Sequence, residues 1–460
     1  MKGEPDFLQN LRDEMGGARQ WIDRAIVIAY AVLTGLAVVA FTLLADAALD
    51  VYGRMRGQWW WAPLLWTPAL TALVVWAVRR WAPGAVGSGV PQVLTALDPA
   101  TPLRERSRFV SLRLSVAKIL AVSGGLLAGL SIGRQGPSVQ VAAGIMLHAR
   151  RWLSPASGIS DRELIVAGGA AGIAAAFNTP LGGIVFAIEE LSRRLLDRSS
   201  GLMLAAIVIA GLVAVSAFGN LSYFGRVRVE AVSWWALLLP GALVAIGCGL
   251  LGGLLSRLML ASFTGLPDRF CAYRRKRPVA FAALCGLAVA VIAVVSQGQT
   301  VGVGHEHTKA LLDHSADVAS VHQPLLFTGL KFIASWLSAW TGVPGGIFGP
   351  SLSIGAGLGA DVAWLLSSPH GAALIALGMC GFLAAVTQTP ITAMIIVMEM
   401  TDGHGMVLSL MACALLSSLV SRMISRPLYS TMSTLMMRSL REPPAASPPA
   451  DPSAASVPRG

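Results

Sequence analysis

Two Gly-Pro turns set in apolar sequence carry the chemistry of this chain. One reads Gly133-Arg134-Gln135-Gly136-Pro137-Ser138, the other Gly346-Ile347-Phe348-Gly349-Pro350-Ser351. Proline fits the first turn of a helix, and a neighbouring glycine lets backbone N–H groups come close to a ligand, so each turn predicts a helix N-terminus. Such an end attracts anions through its unpaired N–H groups and its positive dipole. Two of them in a membrane-sized apolar chain predict an anion site built from broken helices that meet inside a bilayer.

The elements around the turns repeat as well. After the first turn comes Ala174-Ala175-Ala176-Phe177-Asn178-Thr179-Pro180 and then Glu189; after the second comes Ala384-Ala385-Val386-Thr387-Gln388-Thr389-Pro390 and then Glu399. The nearly constant offset between these landmarks favours duplication over chance. Two halves of one fold are expected, at about residues 25–225 and 231–437, and transporters often invert one half relative to the other.

Composition agrees with burial in lipid. The 460 residues are 55% hydrophobic and 13% charged, with a mean hydropathy of +0.66, which reads as a polytopic membrane protein. Uncharged stretches run over 199–225, 231–256, 278–304, 332–360 and 362–398. Each exceeds the roughly 20 residues that cross the hydrocarbon as a helix. Pro240, Pro344, Pro350, Pro369 and Pro390 interrupt them. Breaks at membrane depth are tolerated where they pack in protein or line a polar cavity, so function is expected there.

The net charge of +11 would suggest nucleic acid in a soluble protein. Here the basic clusters Arg79-Arg80, Arg150-Arg151, Arg193-Arg194 and Arg274-Arg275-Lys276-Arg277 stand at the ends of apolar segments, as cytoplasmic loops do, and no nucleic-acid partner is expected. Trp59-Trp60-Trp61 suits an interfacial belt or packing against protein. The five cysteines lack metal-ligand spacing and imply neither disulfides nor zinc. His305-Glu306-His307 has no third ligand nearby and reads as solvated side chains in a loop, so no metal or other cofactor is expected. Residues 1–24 are expected to form an amphipathic surface helix, and the Pro/Ala/Ser tail over 438–460 to be disordered. An intramembrane enzyme finds no Ser-His dyad, paired Asp or zinc motif to rest on.

Four segments now stand in order: Gly87-Ser88-Gly89-Val90-Pro91, Gly133-Arg134-Gln135-Gly136-Pro137, Gly346-Ile347-Phe348-Gly349-Pro350, and Arg426-Pro427-Leu428-Tyr429. Taken alone, Ser88 reads as a turn residue and Tyr429 as an interfacial tyrosine. In this order and spacing the chain resembles the CLC family of chloride channels and chloride/proton antiporters over residues 25–437. The resemblance implies an all-α membrane domain of two inverted repeats with tilted and interrupted helices. It implies a homodimer with one pore per subunit, in the cell (inner) membrane, that moves chloride and similar anions. Ser88 and Tyr429 would donate hydroxyls to a central chloride, and the backbone amides of Ile347 and Phe348 would complete the site. Lys118 and Arg134 would raise the local positive potential from a distance.

The chain departs from that family at one position. The third residue of the family's Gly-Arg-Glu-Gly-Pro is a glutamate that gates the outer anion site, and here it is Gln135. An amide does not titrate in the physiological range, so the gate is expected to stay neutral and permit anions. Glu190 matches the family's inner proton-passing glutamate. Against that, Glu189 with Arg193 and Glu190 with Arg194 show an i, i+4 ion-pair spacing. The expectation is passive, channel-like chloride transport; the alternative is a chloride/proton antiporter with a different proton acceptor.

Overall fold

A computed structural model describes residues 18–191, 200–219, 224, 232, 234–265, 269–315 and 325–441. The first half of the chain forms α1 (Ala18–Gln58), α2 (Pro63–Trp81), α3 (Val90–Leu97), α4 (Leu112–Leu127), α5 (Gln135–His148), α6 (Asp161–Phe177), α7 (Pro180–Phe186) and α8 (Ser200–Phe218). The second half forms α9 (Trp234–Thr264), α10 (Arg269–Lys276), α11 (Pro278–Val295), α12 (His305–Asp313), α13 (Leu326–Thr341), α14 (Phe348–Leu365), α15 (Gly371–Thr387), α16 (Pro390–Met400) and α17 (Val407–Ile424), and α18 (Leu428–Arg441) follows. Among the described residues the only extended pairing is one antiparallel bridge between Gly133 and Gly346.

Local chemistry explains where these helices start and stop. Proline opens α2, α7, α11 and α16, where its missing N–H costs nothing. A capping box of Ser160 and Glu163 opens α6. Asn178 ends α6 at φ 58° and Gln388 ends α15 at φ 59°, both left-handed, and each is followed by a Thr-Pro that starts the next helix. The same break thus appears once in each half.

Among the described residues, five helices are long and apolar enough to cross a membrane. The apolar stretches expected over 332–360 and 362–398 are divided instead among α13, α14, α15 and α16. Pro240 does not break its segment, because α9 runs through it. It stands near the start of that helix, where little of the hydrogen-bond ladder precedes it. Residues 18–24 are continuous with α1 rather than a separate surface helix, and residues 1–17 lie outside the described set. α18 extends to Arg441, past the expected start of the tail, and residues 442–460 lie outside the described set.

The halves are inverted. α1 begins at one face, where Asp23 Oδ1 accepts from Ser154 N just beyond α5 (2.9 Å). It ends at the other, where Asp46, Asp50, Arg54 and Arg56 line a large vestibule. α5 therefore runs from its turn to the face opposite the vestibule. α14 runs the other way, and its Asp361 accepts from Leu325 N (2.7 Å) and Thr328 Oγ1 (2.6 Å) at the start of α13. α13 follows α12, whose first residues also line the vestibule. α5 packs on α6 as α14 packs on α15. One large apolar core joins α3, α5 and α6 to α14–α18; a second, around Phe41, Val122, Leu126 and Val289, joins α1, α2, α4 and α11.

Candidate anion site

The loop before α3 is held open by three buried side chains. Lys118 Nζ, on α4, donates to the carbonyls of Ala85 and Gly87 at 2.7 Å each. Gln92 Oε1 accepts from Gly89 N (2.9 Å), and Gln92 Nε2 donates to Val86 O. Gln140 Nε2, on α5, donates to Gly84 O (3.2 Å) and Phe109 O (2.6 Å). Gly87 and Gly89, at φ 92° and 110°, supply a backbone turn that residues with a Cβ rarely adopt. The outcome is that Ser88 Oγ points at Gly136, so closely that a Cβ there would stand 2.5 Å from the oxygen. Lys118 is fully buried and braces the loop that aims Ser88.

Tyr429 faces Ser88 from α18. Its ring, 1% exposed, stacks on Phe348 at 5.8 Å, and Phe348 in turn meets Phe177 and Phe186 edge-on. A hydrogen bond between Thr95 and Ser433 (3.0 Å) ties α18 to α3, which fixes the spacing of the two hydroxyls. Ser88 Oγ and Tyr429 Oη are buried and lie within reach of one another, and no other residue among those described offers either a hydrogen-bond partner. Two buried hydroxyls that meet only each other leave one O–H without an acceptor, which is costly in a buried place.

The two Gly-Pro turns meet here. Gly133 N donates to Gly346 O and Gly346 N to Gly133 O, both at 2.7 Å, and α5 and α14 diverge from this bridge. Ile347 and Phe348 lie at the first turn of α14, where N–H groups have no acceptor within the helix. Gln135 is fully buried, with its Oε1 2.6 Å from where a Cβ on Gly133 would stand and 3.0 Å from one on Gly349. Its side chain thus occupies the cleft between the turns. Arg134 lines the vestibule, a space of about 1140 Å³, and forms an ion pair with Asp46 of α1. Asp46 offsets part of the charge of Arg134.

Glu190 lies in a π-helical turn, Ala187–Leu191, at the end of α7, close enough to act electrostatically on the Tyr429 phenol. Arg193 and Arg194, its expected ion-pair neighbourhood, lie outside the described residues. Glu189 has another role: its carboxylate accepts from Ile391 N (3.2 Å), Thr392 N (2.6 Å) and Thr392 Oγ1 (2.7 Å) at the start of α16. Glu399, at the end of α16, accepts from Leu181 N (3.2 Å) and Gly182 N (2.8 Å) at the start of α7. Each half caps a helix of the other. Only the repeated Thr-Pro…Glu pattern signalled this in the sequence. His305, Glu306 and His307 form the first turn of α12 rather than a solvated loop: His305 stacks on Phe224 at 5.1 Å, and His307 packs on Phe327 at 4.0 Å.

Comparison with known proteins decides the family. Residues 69–422 match the family described as voltage gated chloride channel. The chain belongs to that family. The H(+)/Cl(-) exchange transporter ClcA of Klebsiella pneumoniae subsp. pneumoniae is 30% identical over 429 residues, 87% of this chain and 86% of that protein. The protein of the same name from Cronobacter sakazakii is 29% identical over 428 residues, 87% of each chain. A slow cyanobacterial Cl-/H+ antiporter shares the fold at a TM-score of 0.76 with 22% identity, over 91% of this chain and 99% of its own. A CLC-type fluoride/proton antiporter does so at 0.70 with 19% identity, over 94% and 99%. This member of the voltage gated chloride channel family is an all-α, multi-pass membrane protein.

Proposed function

We propose that this chain transports chloride across a membrane, through one pore in each subunit of a homodimer. The observation that carries the reading is the pair of buried hydroxyls of Ser88 and Tyr429, which face each other beside the N-termini of α5 and α14 and meet no other hydrogen-bonding group among the described residues. Hydroxyls and amide dipoles hold a large, weakly hydrated anion without a full counter-charge, which keeps binding weak enough for release. Ile347 and Phe348 contribute backbone N–H groups, while Lys118 sets the position of Ser88.

The names of the relatives support proton-linked exchange as the mode of transport. Exchange requires a proton acceptor other than residue 135, since the Gln135 amide does not titrate. Glu190, beside Tyr429, serves as the inner acceptor in this reading. Gln135 itself favours a second reading, in which chloride flows without proton movement.

Arg79 and Arg80 end α2, Arg150 and Arg151 follow α5, and the cluster over 274–277 precedes α11; all stand at the face opposite the vestibule. That bias supports a vestibule that opens outward from the inner membrane of the cell. Proteoliposomes loaded with chloride under an opposed proton gradient test both readings through simultaneous chloride and pH recording. Uphill proton movement driven by chloride supports exchange, and chloride flux without it supports the second reading. The absence of chloride flux overturns both.

A further inference from the structure

The central site has a counterpart in the second half. Lys331, on α13, donates from Nζ to the carbonyls of Thr300 and Gly302 at 2.8 Å each, as Lys118 does to Ala85 and Gly87. The loop it braces, Gly302-Val303-Gly304, has left-handed glycines at φ 58° and 77°, like those flanking Ser88. Val303 crowds Gly349 as Ser88 crowds Gly136. The cradle is therefore duplicated, with a methyl group where the first half has a hydroxyl.

The two halves differ beside that loop. In the first half the long Gln140 side chain spans to two carbonyls. Its counterpart is Ser353, too short for that reach, and a cavity of about 10 Å³ remains among Phe224, Val303, His305, Thr308, Leu352 and Ser353. Phe224, Val303 and His305 also line the vestibule, so the cavity lies at its floor. Ser353 and Thr308 are each 1% exposed, and their hydroxyls have no partner among the described residues. Ser353 Oγ and Lys331 Cε converge on one point, the place where a Cβ on Gly304 would stand. Lys331 is wholly buried and its Nζ donates only to carbonyl oxygens among the described residues, so a nearby anion would stabilise its charged form.

We propose that this cavity is a second anion subsite, which takes one halide ion from the vestibule floor through the Ser353 and Thr308 hydroxyls under the field of Lys331. Its volume of about 10 Å³ limits it to one small occupant, and the N-terminus of the nine-residue helix α12 adds a favourable dipole. Gly349 lies between the subsite and the cleft that holds Gln135, so the two adjoin, and neither Ser88 nor Tyr429 lines the subsite. Chloride as the physiological ion rests on the transport reading above; halide binding itself does not. The role is to load the pathway, because conduction favours several weak sites in series.

Bromide is the probe. Crystals of the full chain grown in bromide should give an anomalous peak beside Ser353 and Thr308 as well as one between Ser88 and Tyr429. The Ser353→Ala, Thr308→Val double variant removes only unpartnered hydroxyls and should fold; it should lose the first peak and keep the second. In flux assays it should raise the half-saturating chloride concentration on the vestibule side several-fold with an unchanged maximal rate. A peak confined to the central pair would mean that the cavity holds water and would overturn the subsite. A peak confined to the cavity would leave the subsite standing and remove the central site instead. A cavity peak with an unchanged half-saturating concentration would mean binding at crystal concentration only, and overturns the proposal too.

Discussion

Gln135 lies in the cleft between two helix N-termini, where a carboxylate would compete directly with an anion. An amide oxygen carries only a partial charge, so it is held there more weakly. Gln135→Glu should therefore slow chloride flux near pH 7, where a carboxylate is ionised, and flux should rise as pH falls toward about 4 and the group is neutralised. In the reading without proton movement, the unaltered protein should vary little over that range. Flux through the variant that ignores pH would show that residue 135 does not gate. Tyr429→Phe removes the phenol oxygen while keeping the stack on Phe348. One hydrogen bond to a charged group is worth about 1.5–3 kcal/mol, so chloride affinity by calorimetry should drop about tenfold or more. Unchanged affinity would remove Tyr429 from the site.

At the scale of elements, the short helices α7 and α16 are stabilised reciprocally. Glu189 satisfies first-turn N–H groups of α16, and Glu399 satisfies those of α7. Glu189→Ala and Glu399→Ala should each cost about 1–2 kcal/mol, the range of a lost helix cap with a favourable dipole contact. Thermal unfolding in detergent should show comparable drops in Tm for the two. A large loss for one and none for the other would mean that the symmetry has no energetic counterpart. Lys118→Met would strip two carbonyls of their donor and relax the loop that carries Ser88. Chloride affinity should fall even though Lys118 touches no anion, and Lys118→Arg should restore part of it. Equal affinity for Lys118→Met and the unaltered chain would contradict the bracing role.

For the whole molecule, orientation is the property that can be checked without transport. All five cysteines are buried and none forms a disulfide, so the background for labelling is low. Trp60, 70% exposed, follows α1 at the vestibule end, and Trp152, 63% exposed, follows α5 at the opposite face. A membrane-impermeant maleimide should label Trp60→Cys in intact cells and Trp152→Cys only after permeabilisation. The reverse pattern would turn the vestibule inward.

The sequence by itself determined the repeat and the paired Gly-Pro and Thr-Pro breaks, and it named the residues of the proposed central site. Gly133–Ser138, Gly346–Ser351 and the two Thr-Pro steps are local signals, because glycine, proline and a cap residue act on their own few φ, ψ angles and N–H groups. Those signals placed both helix N-termini, and the order of four motifs placed Ser88 and Tyr429. What the tertiary structure decided are pairings across long stretches of chain: Lys118 with Ala85, 33 residues away, Asp46 with Arg134, 88 residues away, and Glu189 with Thr392, 203 residues away. A charge on an apolar segment has the same local signature whether it meets water, a carboxylate or a carbonyl. His305-Glu306-His307 looked like a loop for that reason, and Pro240 looked like a break. Which partner each group meets depends on how α5 and α14 diverge from the Gly133–Gly346 bridge, a geometry that exists only when both halves are packed together.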